Sequence, residues 1–215
     1  LGDVRQAFEK KCLKGQDFAE FLDTLASTTE LMERNLSRTA ELVDNFKLVA
    51  TKEGDRDYVS LNLANYIRDI AKTHSNELES RNIILSLDLE QPWPALATNP
   101  NAWSHIVSNL ISNAMDHGLF DKENGEIGIR LKLDDNHIHL SIYDDGVGMP
   151  EEVRKMAFDP FFTTKRGNTY TGLGLYVTYN LVTQSLGGTI DCKTAPDKGC
   201  ELIIQVPLSQ FGKCA

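Results

Sequence analysis

Three stretches of the chain hold residues whose types and spacing could act on a ligand. In residues 109–117 (NLISNAMDH), Asn109, Asn113 and Asp116 fall at i, i+4 and i+7, which is one face of a helix, while Ile106, Leu110 and Ala114 hold another face against a core. Amide oxygens suit Mg²⁺, a hard cation that takes oxygen ligands and keeps waters and phosphate oxygens around it. The same pair of asparagines is also ordinary on a solvated helix surface, and His105 and His117 fit simple packing or solvent exposure. Residues 144–150 (DDGVGMP) follow an apolar strand pattern. There an aspartate at a strand end, followed by two glycines, lets backbone approach a flat ligand while the carboxylate accepts a hydrogen bond from an exocyclic amine. A strand-terminating turn reads the same way. In residues 158–175 (FDPFFTTKRGNTYTGLGL), aromatic anchors precede a polar stretch and a Gly-x-Gly at a helix start, where free N–H groups and the helix dipole favour phosphate. Lys165 and Arg166 add cations nearby. Neither a Walker loop nor a dinucleotide fingerprint is present.

The elements that must hold these stretches follow from hydrophobic periodicity. Helix patterns cover Leu63–Leu78, Trp103–His117 and Leu173–Leu186, the last ended by Gly187-Gly188, and β-rich runs cover Ile83–Leu89, Ile127–Leu133 and His137–Asp144. Thr189–Thr194 and Glu201–Pro207 form a predicted hairpin around residues 195–199. Alternating strands and few helices predict an α+β fold, a two-layer sandwich in which a mostly antiparallel mixed sheet is covered by helices on one face. Ahead of it, Phe18, Leu22, Leu25, Thr29, Met32, Leu36, Thr39, Val43, Phe46 and Ala50 recur in steps of four and three. That stripe predicts one long helix, about Asp17 to Lys52, which needs a partner helix to cover it. The expected division is 1–57 for the helical region and 58–215 for the α+β domain.

Composition bounds the partners. The 215 residues carry 22 Lys+Arg against 31 Asp+Glu, a net charge of −9, so no phosphate-neutralising face for nucleic acid is expected. No apolar run approaches the roughly 18 residues of a membrane span. No signal peptide is evident, and a chain that opens at Leu1 is expected to be part of a longer protein. Cys12, Cys192, Cys200 and Cys214 lack C-x-x-C spacing, which favours free thiols in a reducing cytosol over zinc or disulfides.

In their order along the chain, the Asn-rich helix, D-x-G-x-G after a strand, F-x-P-F-F and G-x-G-x at a helix start resemble the N, G1, F and G2 boxes of the ATP-binding domain of sensor histidine kinases. The resemblance covers about Val59 to Leu208, with residues 158–165 its most specific element, and residues 35–47 look like the second helix of that family's dimerisation hairpin. It implies ATP and Mg²⁺ as cofactors, with Asn113 ligating Mg²⁺ and Asn109 beside it. It implies that Asp144 accepts the adenine amino hydrogen, with Gly146 and Gly148 giving the base room, and that Phe161 and Phe162 anchor a short lid of about residues 163–171. Gly172 and Gly174 would open the phosphate-facing helix, with Thr163, Thr164, Lys165 and Thr171 as lid contacts, Lys165 also catalytic, and His117, Met149, Leu173 and Leu175 completing the nucleotide site. The implied activity is transfer of the ATP γ-phosphate to a histidine for relay to a response regulator receiver domain, by a homodimer joined through the helical region. The implied location is cytoplasmic, with no membrane contact and no nucleic acid.

Three positions depart from the family pattern. Asp116 stands where many relatives carry Lys or Arg, a loss for which Lys165 would compensate. Cys200 stands near the start of the last strand, where a Thr often flanks adenine, and is a weaker hydrogen-bond partner. None of the five histidines, His74, His105, His117, His137 and His139, precedes an acidic residue on a first hairpin helix. The chain is therefore expected to bind Mg·ATP without phosphorylating itself. An ATP hydrolase of the same fold is the first alternative, yet its usual general base, a Glu four residues before the metal Asn, is here Asn109, which has no basic pKa. A non-catalytic nucleotide-binding module is the second.

Overall fold

The computed structural model of the chain describes residues 14–50, 58–89, 92–165 and 170–211. Residues Arg166 to Thr169 of the expected lid, and Cys12 and Cys214, lie outside the described residues.

Helix α1, Gly15–Ala50, realises the long stripe as 36 residues of continuous helix. The α+β body follows. A short strand β1 (Val59–Asn62) leads into α2 (Leu63–Thr73), and α3 (Ser75–Ser80) precedes β2 (Ile84–Leu89) and β3 (Ala95–Thr98). Helix α4 (Pro100–Asn113) continues through a wide π-helical turn, Ala114–Gly118, to the antiparallel pair β4 (Glu126–Leu133) and β5 (His137–Asp144). Then come α5 (Glu151–Met156), α6 (Gly174–Asn180) with a second π turn at Leu181–Ser185, and the hairpin of β6 (Thr189–Thr194) and β7 (Cys200–Pro207).

The main sheet has the order β2-β4-β5-β7-β6; β2 runs parallel to β4 and the other neighbours are antiparallel. Strands β1 and β3 form a separate antiparallel pair. Period-two alternation sends Ile127, Ile129 and Leu131 of β4, Ile138 and Leu140 of β5, and Ile204 and Val206 of β7 to one face, where all are buried. They meet Ile67 of α2, Trp103, Ile106 and Leu110 of α4, and Val177 and Val182 from α6 and its π turn in one core. Each such side chain contributes about 1.5–3 kcal/mol by leaving water. This is the two-layer arrangement with helices on one face that the periodicity predicts.

Local chemistry explains where elements start and stop differently from that reading. The expected helix 63–78 breaks at His74, because Thr73 Oγ1 and Ser75 Oγ donate to the carbonyls of Ile70 and Lys72, at 2.7 and 2.8 Å, and compete with the helical ladder. Helix α4 begins at Pro100 rather than Trp103, since Asn99 caps it by accepting from the Ala102 N–H at 3.2 Å and Pro100 needs no partner in the first turn.

Candidate functional site

A cavity of about 540 Å³ opens between α4, the loop after β5, the segment after α5 and the start of α6. That size suits a small ligand such as a nucleotide. Helix α4 and its π turn contribute Asn109, Asn113, Asp116 and His117 to its wall. The π turn is held by the Leu119 N–H on the Ala114 carbonyl, 2.8 Å, one residue wider than an α turn.

The asparagines form an ordered chain. Buried Thr178 on α6 receives a hydrogen bond at Oγ1 from Asn109 Nδ2 (3.2 Å), and Asn109 Oδ1 receives one from Asn113 Nδ2 (2.9 Å). With the amide nitrogens of both asparagines engaged, Asn113 Oδ1 is the acceptor left to a ligand, and an amide oxygen on the wall of a nucleotide-sized cavity fits Mg²⁺. The approach of α6 depends on Gly174: a Cβ there would stand 2.6 Å from Asn109 Oδ1.

Asp144 lies at the last position of β5, opposite Cys200 of β7. Burial pushes its carboxyl up to about 6, against N–H bonds from Gly146 and Cys200 that favour the charged form. The Gly146 N–H donates to Asp144 Oδ1 at 2.9 Å. The loop that follows is stitched down on both sides, Val147 N–H to the Gly118 carbonyl (3.0 Å) and Asp197 N–H to the Val147 carbonyl (2.7 Å). Gly148 has φ +63°, and a Cβ there would stand 2.0 Å from the Ala195 carbonyl, so only glycine fits. Gly148 and Met149 reach the cavity wall, with Met149 N–H anchored on Thr194 Oγ1 at 2.8 Å. Cys200 also lines the cavity, its Sγ 3.6 Å from that of Cys192, and both thiols are free.

Phe162, Thr163, Thr164, Thr171, Gly172, Gly174 and Leu175 complete the wall. Four expected site residues stand differently. Gly146 supports Asp144 from behind, and Leu173 is buried in the core. Phe161, with φ +66°, has its side chain turned out and 63% exposed, while Phe162 lines the cavity and Phe158 packs against the core. Lys165 folds back to donate Nζ to the Asp116 carbonyl, with Nζ 3.2 Å from the centre of the Phe120 ring.

The odd aspartate of the N-box helix finds a partner that sequence spacing does not show. Asp116 Oδ1 accepts from Arg81 Nη1 at 2.9 Å, and Arg81 Nη2 also reaches Glu77 Oε1 at 2.7 Å. Asp116 thus holds one cation through its carboxylate and Lys165 through its carbonyl, at the rim beside Tyr170. The His117 ring lies 5.1 Å from Tyr170, and burial, then the charge of Lys165, pulls its pKa down. Tyr170 is covered by sequence reading only as part of the lid stretch, and Thr178 and Arg81 escape it because neither belongs to a box. Their one signal is contact with residues that do.

Comparison with known proteins decides the lineage. Residues 98–210 match the family of histidine kinase-, DNA gyrase B- and HSP90-like ATPases. The chain belongs to this family. As a member of an ATPase family it binds nucleotide, and the cavity built by the boxes is where one fits. Among its relatives is sporulation kinase E of Bacillus subtilis (strain 168), 27% identical over 202 residues, which are 92% of this chain and 26% of that protein. The chain thus spans about a quarter of the length of that relative. Full-length ShkA in complex with AMPPNP has the same fold at 18% identity, with a TM-score of 0.71 over 94% of this chain and 40% of that one. Histidine kinase ThkA in complex with the response regulator protein TrrA does so at 19% identity, TM-score 0.64, over 97% of this chain and 57% of that one. The fold resemblance thus includes α1, not only the body.

Proposed function

We propose that the chain is the ATP-binding catalytic part of a sensor histidine kinase, which transfers the γ-phosphoryl group of Mg·ATP to a histidine for relay to an aspartate of a response regulator. The observation that carries this reading is the state of the carboxylates on the cavity wall. Among the described lining residues they are Asp116 and Asp144 alone, the first paired with Arg81 and the second accepting the Gly146 N–H at Oδ1. At the position of a water-activating base stands Asn109, whose oxygen and nitrogen are already bonded to Asn113 and Thr178. A site with a place for phosphates and no base for water favours a protein acceptor over hydrolysis.

In this reading Asn113 Oδ1 holds Mg²⁺, with Asn109 and Thr178 fixing its orientation. The ion supplies charge neutralisation for the phosphates. Gly172 and Gly174 bring the N–H groups at the start of α6 to the phosphate end, Asp144 accepts a hydrogen bond from the adenine amino group, and Lys165 leaves the Asp116 carbonyl to meet the phosphates when nucleotide binds. The stripe of α1 pairs with a second copy in a homodimer, and the receiver domain of a response regulator is the onward partner, a pairing supported by the solved complex of ThkA with the response regulator protein TrrA. The division near residue 57 separates these two tasks. The work of the chain is cytoplasmic in this reading; among the described residues no helix is long and apolar enough to cross a membrane.

The test combines binding with transfer. Calorimetry of ATP with and without Mg²⁺ should give tighter binding with the ion, and Asn113→Ala should remove that difference. With γ-labelled ATP and a separate helix that bears an acceptor histidine, label should appear on the histidine while phosphate release stays slow. Steady phosphate release without any acceptor would overturn the reading.

A further inference from the structure

The turn between β4 and β5 gathers a second group of ligand-bearing side chains, at the end of β5 away from Asp144. Asp134 closes this turn: its Oδ1 accepts from the backbone N–H groups of Asn136 at 2.8 Å and His137 at 2.7 Å. His137 and His139 stand two residues apart on β5, so alternation puts both on the face opposite the helices, while Ile138 and Leu140 point into the core. His139 Nε2 lies 2.6 Å from Asp134 Oδ2, and His137 Nδ1 lies 3.9 Å from Asp134 Oδ1. One ligand atom from each of the three residues lies within 4.8 Å of the others, the one such triplet among the described residues.

Bonds of about 2.0–2.2 Å in a tetrahedral site put ligand atoms roughly 3.3–3.5 Å apart. The two measured separations, each to a different oxygen of Asp134, fall on either side of that value, and the side chains are partly exposed, so a site forms by modest rotation of the three. Two backbone N–H groups already orient Asp134, and all three ligands come from six consecutive residues, which keeps the ordering cost small. Two imidazoles and one carboxylate suit Zn²⁺, Cu²⁺ or Ni²⁺ and do not suit Mg²⁺ or Ca²⁺, which take oxygen. Solvent supplies the remaining position. Lys132 faces His139 across the β4–β5 ladder, and a positive charge there weakens the site without blocking it.

We propose that Asp134, His137 and His139 bind a late first-row divalent cation at a surface site separate from the nucleotide and its own ion. Occupancy ties the turn to the strand behind it and stabilises the fold by mass action.

Titration of the whole chain with Co²⁺, in the absence of nucleotide, tests this through visible absorption, with Zn²⁺ as competitor. One equivalent should bind per chain without a sulfur-to-metal charge-transfer band, and Zn²⁺ should displace it and raise Tm. Each of Asp134→Asn, His137→Gln and His139→Gln should weaken binding about tenfold or more, with circular dichroism and ATP affinity unchanged, while Lys132→Ala should tighten it. Undiminished binding in the double variant His137→Gln/His139→Gln, a charge-transfer band that reports thiolate ligands, or no saturable binding at all would overturn the proposal.

Discussion

Helices α1 and α4 are both built around an apolar stripe, yet one stripe is open and the other closed. On α1, Met32 is 60% and Leu36 71% exposed; on α4, Trp103, Ile106 and Val107 are fully buried. The difference lies in what each stripe meets. The apolar positions of α4, namely 103, 106, 107, 110 and 111, with Ala114 just past its end, recur at i, i+3, i+4, i+7, i+8 and i+11, a broad face that lies flat on a sheet. On α1 the positions in steps of four and three form a seam of the kind that matches another helix, and Leu31, apolar and off that seam, is 42% exposed as well. An apolar stripe that the body leaves in solvent thus marks the helix that requires a partner.

The largest effects that test this contrast fall on the closed stripe. Leu110→Ala should destabilise the body by about 2–5 kcal/mol, measured by urea unfolding, because its cavity cannot collapse between helix and sheet. One turn further along α4 the polar face takes over, and there Asn113→Ala should leave the fold intact while it lowers phosphoryl transfer about 100-fold or more. A comparable loss of stability in that variant would show that the two faces of α4 are not separate.

A smaller effect concerns Asp144, whose carboxyl is raised to about 6 in the folded chain from an ordinary value near 3.8. The folded state therefore holds this proton more tightly than the unfolded one. The ionised carboxylate is a cost to stability above pH 6 that disappears as the pH falls below 4. Asp144→Asn should accordingly raise the unfolding free energy at pH 7.5 by on the order of 1 kcal/mol, seen as a higher Tm, lose that gain at pH 4, and weaken nucleotide binding about tenfold. Melts at both pH values check the sign. The smallest effect belongs to the open stripe: Leu36→Ser should change the stability of the body by less than about 0.5 kcal/mol, while sedimentation shows weakened self-association. A monomer of the parent chain that is already insensitive to Leu36 would break the comparison.

How much of the fold and the site is legible in the sequence follows from the range of each interaction. The long helix, the strands of the main sheet and the final hairpin announce themselves by periodicity over six or more residues. Strands β1 and β3 have only 4 residues each, too few for a period, and α5 has 6. The boxes locate the walls of the cavity, since Asn109, Asn113, Asp144 and Gly174 meet there. What holds those walls in place is not legible: Thr178 lies 69 residues from Asn109 and Arg81 lies 35 from Asp116, and no local pattern links such pairs. The outward side chain of Phe161 is hidden for the opposite reason. A motif gives the residue type, but a left-handed backbone angle decides where the side chain goes.

The π turn at Ala114–Gly118 has a further meaning when it is viewed as a footprint in the length of the helix. It is one residue of slack, taken up between the buried stripe of α4 and the Gly118 carbonyl that anchors Val147. Deleting a single residue there would return the helix to its ordinary pitch with little net rotation, because four residues at about 3.6 per turn sweep about as far as five in the wider turn. The core would keep its register, and the contacts made from the turn itself, Asp116 on Arg81 and the Gly118 carbonyl on Val147, would be the ones to shift. A change of length at this turn is therefore a change to the cavity wall that leaves the core alone.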